Sequence, residues 1–408
     1  MDGSYQSYDV QQPGMKVAPL ERMFSAVMGH LSEGQLIVKF PSGTVRTFSG
    51  NQPGLAAGLI GEMHIHSWAA ISRALKGGTM GLAEGFMDGA WSSPDLTNLL
   101  RVLAANMDRL EARLKRAFLP KVWARFGHWI NRNNKAGSRR NISFHYDLGN
   151  EFYSLWLDPT MTYSAALFDG QPRSLEEAQK AKYKALADAV GIKAGDHILE
   201  IGCGWGGFAE YAARDLGCRI TGVTLSKEQL AFAKARLAKA GVSDRTDLRL
   251  CDYRDLDGQF DHIVSIEMLE AVGEQFWPTY FAKVKSLLKP GGRAGIQVIT
   301  IDNSRFDAYR RSVDFIQKYI FPGGMLPSDA VLKNHFKTNR LSLHSQLDFG
   351  IDYGETLKLW HESYAAHWPT IKSMDYDEKF DRMWRFYLSY CEAGFRQKTI
   401  DVSQYVIG

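Results

Sequence analysis

From residue 195 onward, short apolar runs alternate with longer stretches in which apolar residues return every three or four positions. The runs HILEIG, RITGVTL, DLRLCD, HIVSIE and RAGIQVIT read as buried strands, while SKEQLAFAKARLAKAG and the segment ending at Leu288 carry the helical period. This alternation predicts a doubly wound, mostly parallel α/β sheet with helices on both faces. An insertion over 302–328 follows, then LSLHSQLDF, an aromatic-rich helix over 376–396 and the strand-like DVSQYVI. The two late strands bring the sheet to seven.

The first part of the chain has a different pattern. QLIVKF and TVRTF alternate like strands, and the glycine-punctuated GTMGLAEGFMDGAW follows them, so a small α+β domain is expected. Leu99, Leu100, Leu103, Met107, Leu110, Leu114 and Phe118 form one apolar stripe, read as a continuous helix that ends at Pro120. Beyond it Trp123, Phe126, Trp129 and Ile130 are interleaved with Lys121, Arg125, Arg132, Lys135, Arg139 and Arg140, and Lys115 and Arg116 lie just before. Such a segment suits either an anionic bilayer surface or packing against the next domain. The expected organisation is a disordered 1–16, an accessory lipid- or membrane-associated domain over 17–120, a basic linker over 121–141 and a catalytic domain over 142–408.

A length of 408 residues is ample for two such domains. No apolar run approaches the roughly 18 residues of a membrane span, and the first residues lack a basic, then apolar, leader pattern. A cytoplasmic protein, peripheral at the inner membrane face, is therefore expected. The four cysteines have no CxxC pairing, and His64, His66, His361 and His367 have no metal-ligand spacing. No metal and no nucleic-acid partner is expected.

Chemistry concentrates at strand ends. Glu200-Ile-Gly-Cys-Gly-Trp-Gly sits between the first strand and a helix, where Gly202, Gly204 and Gly206 let a ligand approach the backbone. Its ExGxGxG spacing resembles the first motif of Rossmann-like class I methyltransferases, which bind S-adenosylmethionine, rather than the pyrophosphate turn of dinucleotide folds. Thr224, Ser226 and Gln229 end the second strand where a ribose would lie. Asp252 and Tyr253 end the third, where a carboxylate and a ring suit adenine. Glu267, at the end of the fourth, joins this set of cofactor contacts.

The ordered segments HYDLGNEFYSLWLDPTMTYSAALF (145–168), LEIGCGWGGFA (199–209), GVTLSKEQ (222–229), DYRDL (252–256), SIEMLEAVG (265–273), KYIFPGGMLPS (318–328) and YLSYCEAGFR (387–396) resemble the cyclopropane fatty acid synthase family, including the mycolic acid cyclopropane synthases. The resemblance spans most of the chain. It implies methylation of the double bond of an unsaturated acyl phospholipid, with Tyr163 and Ser164 closing over the cofactor and the 302–328 insertion, with Phe315 and Tyr319, walling an acyl tunnel beside Ala165. Tyr146, Tyr163, Phe315, Tyr319 and Tyr353 are candidates to face a carbocation.

In that family the proton acceptor is thought to be a bicarbonate held by Cys, Glu, His and Tyr side chains. This chain supplies Glu270 and Tyr353 but has Ala165 at the Cys position, Gln297 at the His position and Ala271 after the glutamate. The expectation is that Glu270 either holds a rearranged anion or acts as the base. Cys391, in YLSYCEAGFR, is the weakest of the catalytic candidates, because a thiolate beside a carbocation would be alkylated. The product readings are a cyclopropane, a methyl or methylene branch needing a reductase or oxidase partner, and a methylated conjugated diene. A non-catalytic lipid-binding protein of the same fold and a methyltransferase for a small soluble acceptor are the competing readings, and homodimerisation is implied only by the resemblance.

Overall fold

The computed structural model describes residues 9–10, 18–117 and 148–408. Its chain divides into two compact units, one of Met1–Ala124 with Trp368–Thr399 and one of Arg125–His367 with Ile400–Gly408. Tyr146, the 121–141 linker and its Trp-bearing basic cluster lie outside the described residues.

In the first unit, β1 (Asp9–Val10), β2 (Gln35–Lys39), β3 (Val45–Ser49), β4 (Ile60–Ile65) and β5 (Trp91–Ser92) form a sheet in the order β1-β3-β2-β4-β5. The Asp9–Val10 pairing with β3 falls where no order is expected from the sequence. The stripe read as one helix is two, Leu96–Ala105 and Met107–Ala117. Asn106 separates them. Its side chain leaves the helix path to accept from Ser32 N at 2.6 Å and Glu33 N at 3.2 Å, and to donate to Glu33 O at 2.9 Å and Val102 O at 2.7 Å. Satisfying those buried backbone groups outweighs one more turn of unbroken helix.

The helix Glu378–Arg396, expected in the catalytic domain, belongs instead to this first unit. Asp377 caps it by accepting from Phe380 N at 2.7 Å. Trp384, Tyr387 and Leu388 recur at helical spacing on its buried face, and it packs on the helices Leu96–Ala105 and Trp68–Met87. The reason is the stripe itself: Leu99, Leu100 and Leu103 need a second apolar surface besides β4, and this aromatic face provides it.

The second unit holds the seven expected strands: β6 (His197–Ile201), β7 (Arg219–Thr224), β8 (Thr246–Leu250), β9 (Phe260–Ile266), β10 (Leu288–Ile301), β11 (Leu343–Asp348) and β12 (Ile400–Ile407). Their order is β11-β12-β10-β9-β6-β7-β8, and β12 runs antiparallel to both its neighbours. Side chains alternate across the sheet. Leu199, Ile201, Ile263, Ile296 and Tyr405 pack on one face with Trp277, Tyr280 and Phe281 of the helix Trp277–Leu287. Ile198, Ile220, Val264 and Val406 pack on the other with Leu186 and Val190 of the helix Leu175–Val190. Gly295 permits that approach, since a Cβ there would stand 2.6 Å from Val190 Cγ2 and 2.8 Å from Leu186 Cδ1. By the same alternation Glu200, Gln297 and Gln404 fall on this second face, a polar file inside an otherwise apolar layer.

Candidate active site

A cavity opens at the carboxyl ends of β6, β7, β8 and β9, where strand order reverses about β6. Gly202, at φ +85°, forms its floor; its N–H and that of Cys203 donate to Val223 O at 2.9 and 3.0 Å. A Cβ on Gly202 would lie 2.7 Å from Met268 Cγ, so the turn must remain bare to keep the space open. Of the sequence-predicted cofactor residues, Tyr163, Ser164, Glu200, Gly202, Gly204, Thr224, Gln229, Asp252, Tyr253 and Glu267 line the cavity. Gly206 and Ser226 stand behind it. Gly206 faces Ala233 of the helix Lys227–Lys239, and Ser226 caps that helix by accepting from Gln229 N at 3.2 Å.

Several polar groups here suit a cationic nucleoside ligand. Glu200 has a buried Oε2 with no partner, and burial raises its carboxyl well above the ordinary range; a ligand ammonium would satisfy that oxygen and restore its charge. Thr224 donates to Gln229 Oε1 at 3.0 Å, which orients the Gln229 amide at the ribose position. Asp252 is paired with Arg254, whose Nε and guanidinium NH2 donate at 2.8 and 2.6 Å, a contact that sequence spacing does not reveal. A carboxylate has further acceptor positions, so an adenine amino group can still be accommodated.

Tyr163 stands in a cage of rings, with centroids 5.3 Å from Trp360, 5.4 Å from Trp156, 5.5 Å from Tyr153 and 6.3 Å from Phe321 of the insertion. Phe315 is buried against Tyr319, with centroids 5.4 Å apart, and neither lines the cofactor cavity. The insertion is fastened to the site through its backbone, Met325 N donating to Glu270 O at 2.8 Å.

The main departure from expectation concerns the acid. The family pattern pairs Gln297 and Tyr353 with Glu270, but both hold Glu267. Tyr353 OH donates to Glu267 Oε2 at 2.8 Å, while Gln297 Nε2 and the backbone N–H of Ala165 donate to Oε1 at 2.8 and 2.9 Å. Glu267 adopts φ +48°, a left-handed conformation costing a side-chain-bearing residue about 1–2 kcal/mol, and that turn aims its carboxylate at these donors. Gln297 is itself fixed by Gln404 Nε2, 3.1 Å from its Oε1.

Glu270 lies outside the cavity lining, accepting from Ile299 N at 2.6 Å, with its other oxygen buried and unpartnered. Burial, reinforced by the nearby Glu267 charge, pushes its pKa up to about 8. Burial also raises Glu267, against which the charge of Lys182 and the three donors act. Lys182, which no sequence motif marks, is fully buried and donates to Ser164 Oγ at 2.7 Å.

The residues present do not fit a bicarbonate at the expected place. Its side-chain and backbone donors already converge on a carboxylate belonging to the chain, and a second anion there would meet like charge. The sequence signal for this was available: an extra acid at 267 accompanies the altered Ala165 and Gln297. Cys391 lies in the first unit, on the helix Glu378–Arg396, and is not among the cavity-lining residues.

Residues 133–405 match the family described as mycolic acid cyclopropane synthetase. The chain is 41% identical over 355 residues to the tuberculostearic acid methyltransferase UfaA1 of Mycobacterium tuberculosis, covering 85% of this chain and 83% of that protein. It is 38% identical over 338 residues to the cyclopropane-fatty-acyl-phospholipid synthase of Escherichia coli, covering 82% and 85%. The crystal structure of the mycolic acid cyclopropane synthase CmaA1 complexed with SAH and CTAB superposes with a TM-score of 0.62 at 29% identity, covering 66% of this chain and 97% of that one.

Proposed function

The chain belongs to the mycolic acid cyclopropane synthetase family, and on that premise we propose that it methylates the double bond of an unsaturated fatty acyl chain in phospholipid, with Glu267 as the proton acceptor. S-adenosylmethionine, when bound, supplies an electrophilic methyl carbon. Glu200, Thr224, Gln229, Asp252 and the bare turn at Gly202 hold and orient that donor.

An isolated alkene is a weak nucleophile, so alignment and exclusion of water must supply most of the rate. With the donor bound, the π pair would bond to the methyl carbon as the carbon–sulfur bond gave its pair to sulfur, leaving the neighbouring acyl carbon cationic. Tyr163, which lines the cavity, offers a π face to that charge, and the buried rings of Trp360, Trp156 and Tyr153 packed round it hold it in place. Glu267 then takes a proton from the added methyl group. The released C–H pair closes a three-membered ring or, after a hydride shift, forms a methylene branch that a reductase would convert to methyl.

The observation that carries this reading is the convergence of Tyr353, Gln297 and the Ala165 N–H on Glu267, which fixes a carboxylate at the cavity wall. The name of the Escherichia coli relative supports a phospholipid acceptor and a ring, and that of the Mycobacterium tuberculosis relative supports a branch.

The test uses purified protein, donor carrying a trideuterated methyl group, and vesicles of a monounsaturated phospholipid, with products read by mass spectrometry. Retention of two deuterons is expected, with the fragmentation pattern separating ring from branch. A positioned base contributes about 10²–10⁴-fold, so Glu267→Gln should lose at least about 100-fold in kcat while binding the donor within a few-fold of wild type. Wild-type turnover in that variant would end the assignment.

A further inference from the structure

Lys182 lies on the helix Leu175–Val190 with no solvent exposure, a costly placement for an ammonium group unless its charge is used. Its Nζ donates to Ser164 Oγ at 2.7 Å and lies 4.7 Å from the ring centroid of Tyr183. Three acids act on it: Asp158 from the segment preceding Thr160, Glu200 from β6 and Glu267 from the end of β9. Arg236, on the helix Lys227–Lys239, acts on Glu200 and Tyr183. Tyr353 also acts on Glu267, and Glu267 in turn acts on Glu270.

The backbone of Lys182 is tied to the same acid. Gln404 Nε2 lies 3.2 Å from Lys182 O and 3.1 Å from Gln297 Oε1, and Gln297 donates on to Glu267. Thus the lysine and the two glutamines form one buried assembly behind Glu267, and Glu267 and Ser164 join it to the cavity lining.

Resting on the reading of Glu267 as proton acceptor, we propose that Lys182 is a positioning residue: its buried charge, fixed by Ser164, keeps Glu267 in the carboxylate form that can receive the proton. Before proton removal the assembly and Glu267 together hold an ammonium and a carboxylate; afterwards they hold an ammonium and a neutral acid. The electrostatic directions agree. Burial pushes Lys182 down to about 7, and Glu267 is foremost among the acids opposing that fall. In return Lys182 is the strongest influence lowering Glu267.

Profiles of kcat against pH for wild type, Lys182→Met and Lys182→Arg test this. In Lys182→Met the acidic limb should move up by at least about one pH unit, with kcat recovering as pH rises and KM for S-adenosylmethionine within about threefold, since one pH unit is a tenfold change in ionisation. Lys182→Arg should return the limb toward wild type. An unmoved limb in folded Lys182→Met, or an arginine variant displaced as far as the methionine one, overturns the proposal.

Should neither variant fold, ¹⁵N-lysine NMR on wild type and Glu267→Gln gives the answer, because coupling between two sites is reciprocal. One lysine should titrate near neutral pH, and its midpoint should fall by at least about one pH unit in Glu267→Gln; a midpoint that stays put overturns the role of Lys182. The acceptor reading fails separately, through wild-type turnover by Glu267→Gln.

Discussion

The hydroxyl of Tyr353 donates to Oε2 of Glu267 across 2.8 Å, joining the helix Gly350–Lys372 to the end of β9. A hydrogen bond to a charged group contributes about 1.5–3 kcal/mol. Removing the hydroxyl in Tyr353→Phe should leave Glu267 held by Gln297 and Ala165 alone, raise its proton affinity and lower kcat by about 10- to 100-fold at neutral pH. KM for the methyl donor should change little, because Tyr353 is not among the cavity-lining residues. Steady-state kinetics separates the two parameters, and a loss carried wholly by KM would contradict the assignment.

Gly202→Ala should act on donor binding. Besides the Cβ contact with Met268, the substitution places a side chain at φ +85°. Titration calorimetry should show at least about tenfold weaker binding of S-adenosylmethionine, the equivalent of roughly 1.4 kcal/mol. Unchanged affinity would mean that Met268 moves aside freely and that the bare turn is not required.

In the first unit, Asn106→Ala removes the acceptor for Ser32 N and Glu33 N and the donor to Glu33 O. An orphaned buried backbone group costs about 1–3 kcal/mol. Ser32 N is buried, whereas the two Glu33 groups are only partly buried and cost less, so a total loss of roughly 2–4 kcal/mol is expected in denaturant unfolding of that unit. Asn106→Leu, which extends the apolar stripe and should favour an unbroken helix by propensity, is expected to be no better. A more stable leucine variant would show that the helix break is not fixed by these bonds.

Strand alternation made the sheet, its order of elements and the glycine turn legible, because period-2 burial and a tight strand-to-helix turn are local properties of sequence. The identity of the acid was not local. Glu267 and Glu270 are three residues apart, and which of them meets Gln297 and Tyr353 depends on the left-handed backbone at Glu267 and on where the helix Gly350–Lys372 comes to rest. Lys182 was hidden differently. It falls on the buried face with Ala178, Tyr183 and Leu186, a position that periodicity marks as apolar, and its partners come from Ser164, β6 and β9. Likewise, helical spacing identified the stripe from Leu96 but not the side-chain role of Asn106 that divides it.

The protonation of Glu270 gives the protein a pH-dependent stability whose sign follows from its surroundings. Its carboxyl is pushed from an ordinary 4.5 to about 8 in the folded chain, by burial first and by the Glu267 charge second. A raised carboxyl pKa means that the folded state binds the proton more tightly, so this contribution is complete below about 4.5, declines as pH rises and is gone above about 8. Glu270→Gln keeps an acceptor for Ile299 N and cannot ionise. Each pH unit between the unfolded and folded midpoints is worth about 1.4 kcal/mol, less the part that solvent near the site screens. Relative to that variant, wild type should therefore lose roughly 2 kcal/mol or more between about pH 5 and pH 8. Paired thermal or urea unfolding across that range measures the difference directly. A constant gap between the two proteins would mean that Glu270 is already ionised at the acidic end, and that the anion is stabilised by something beyond the bond from Ile299 N.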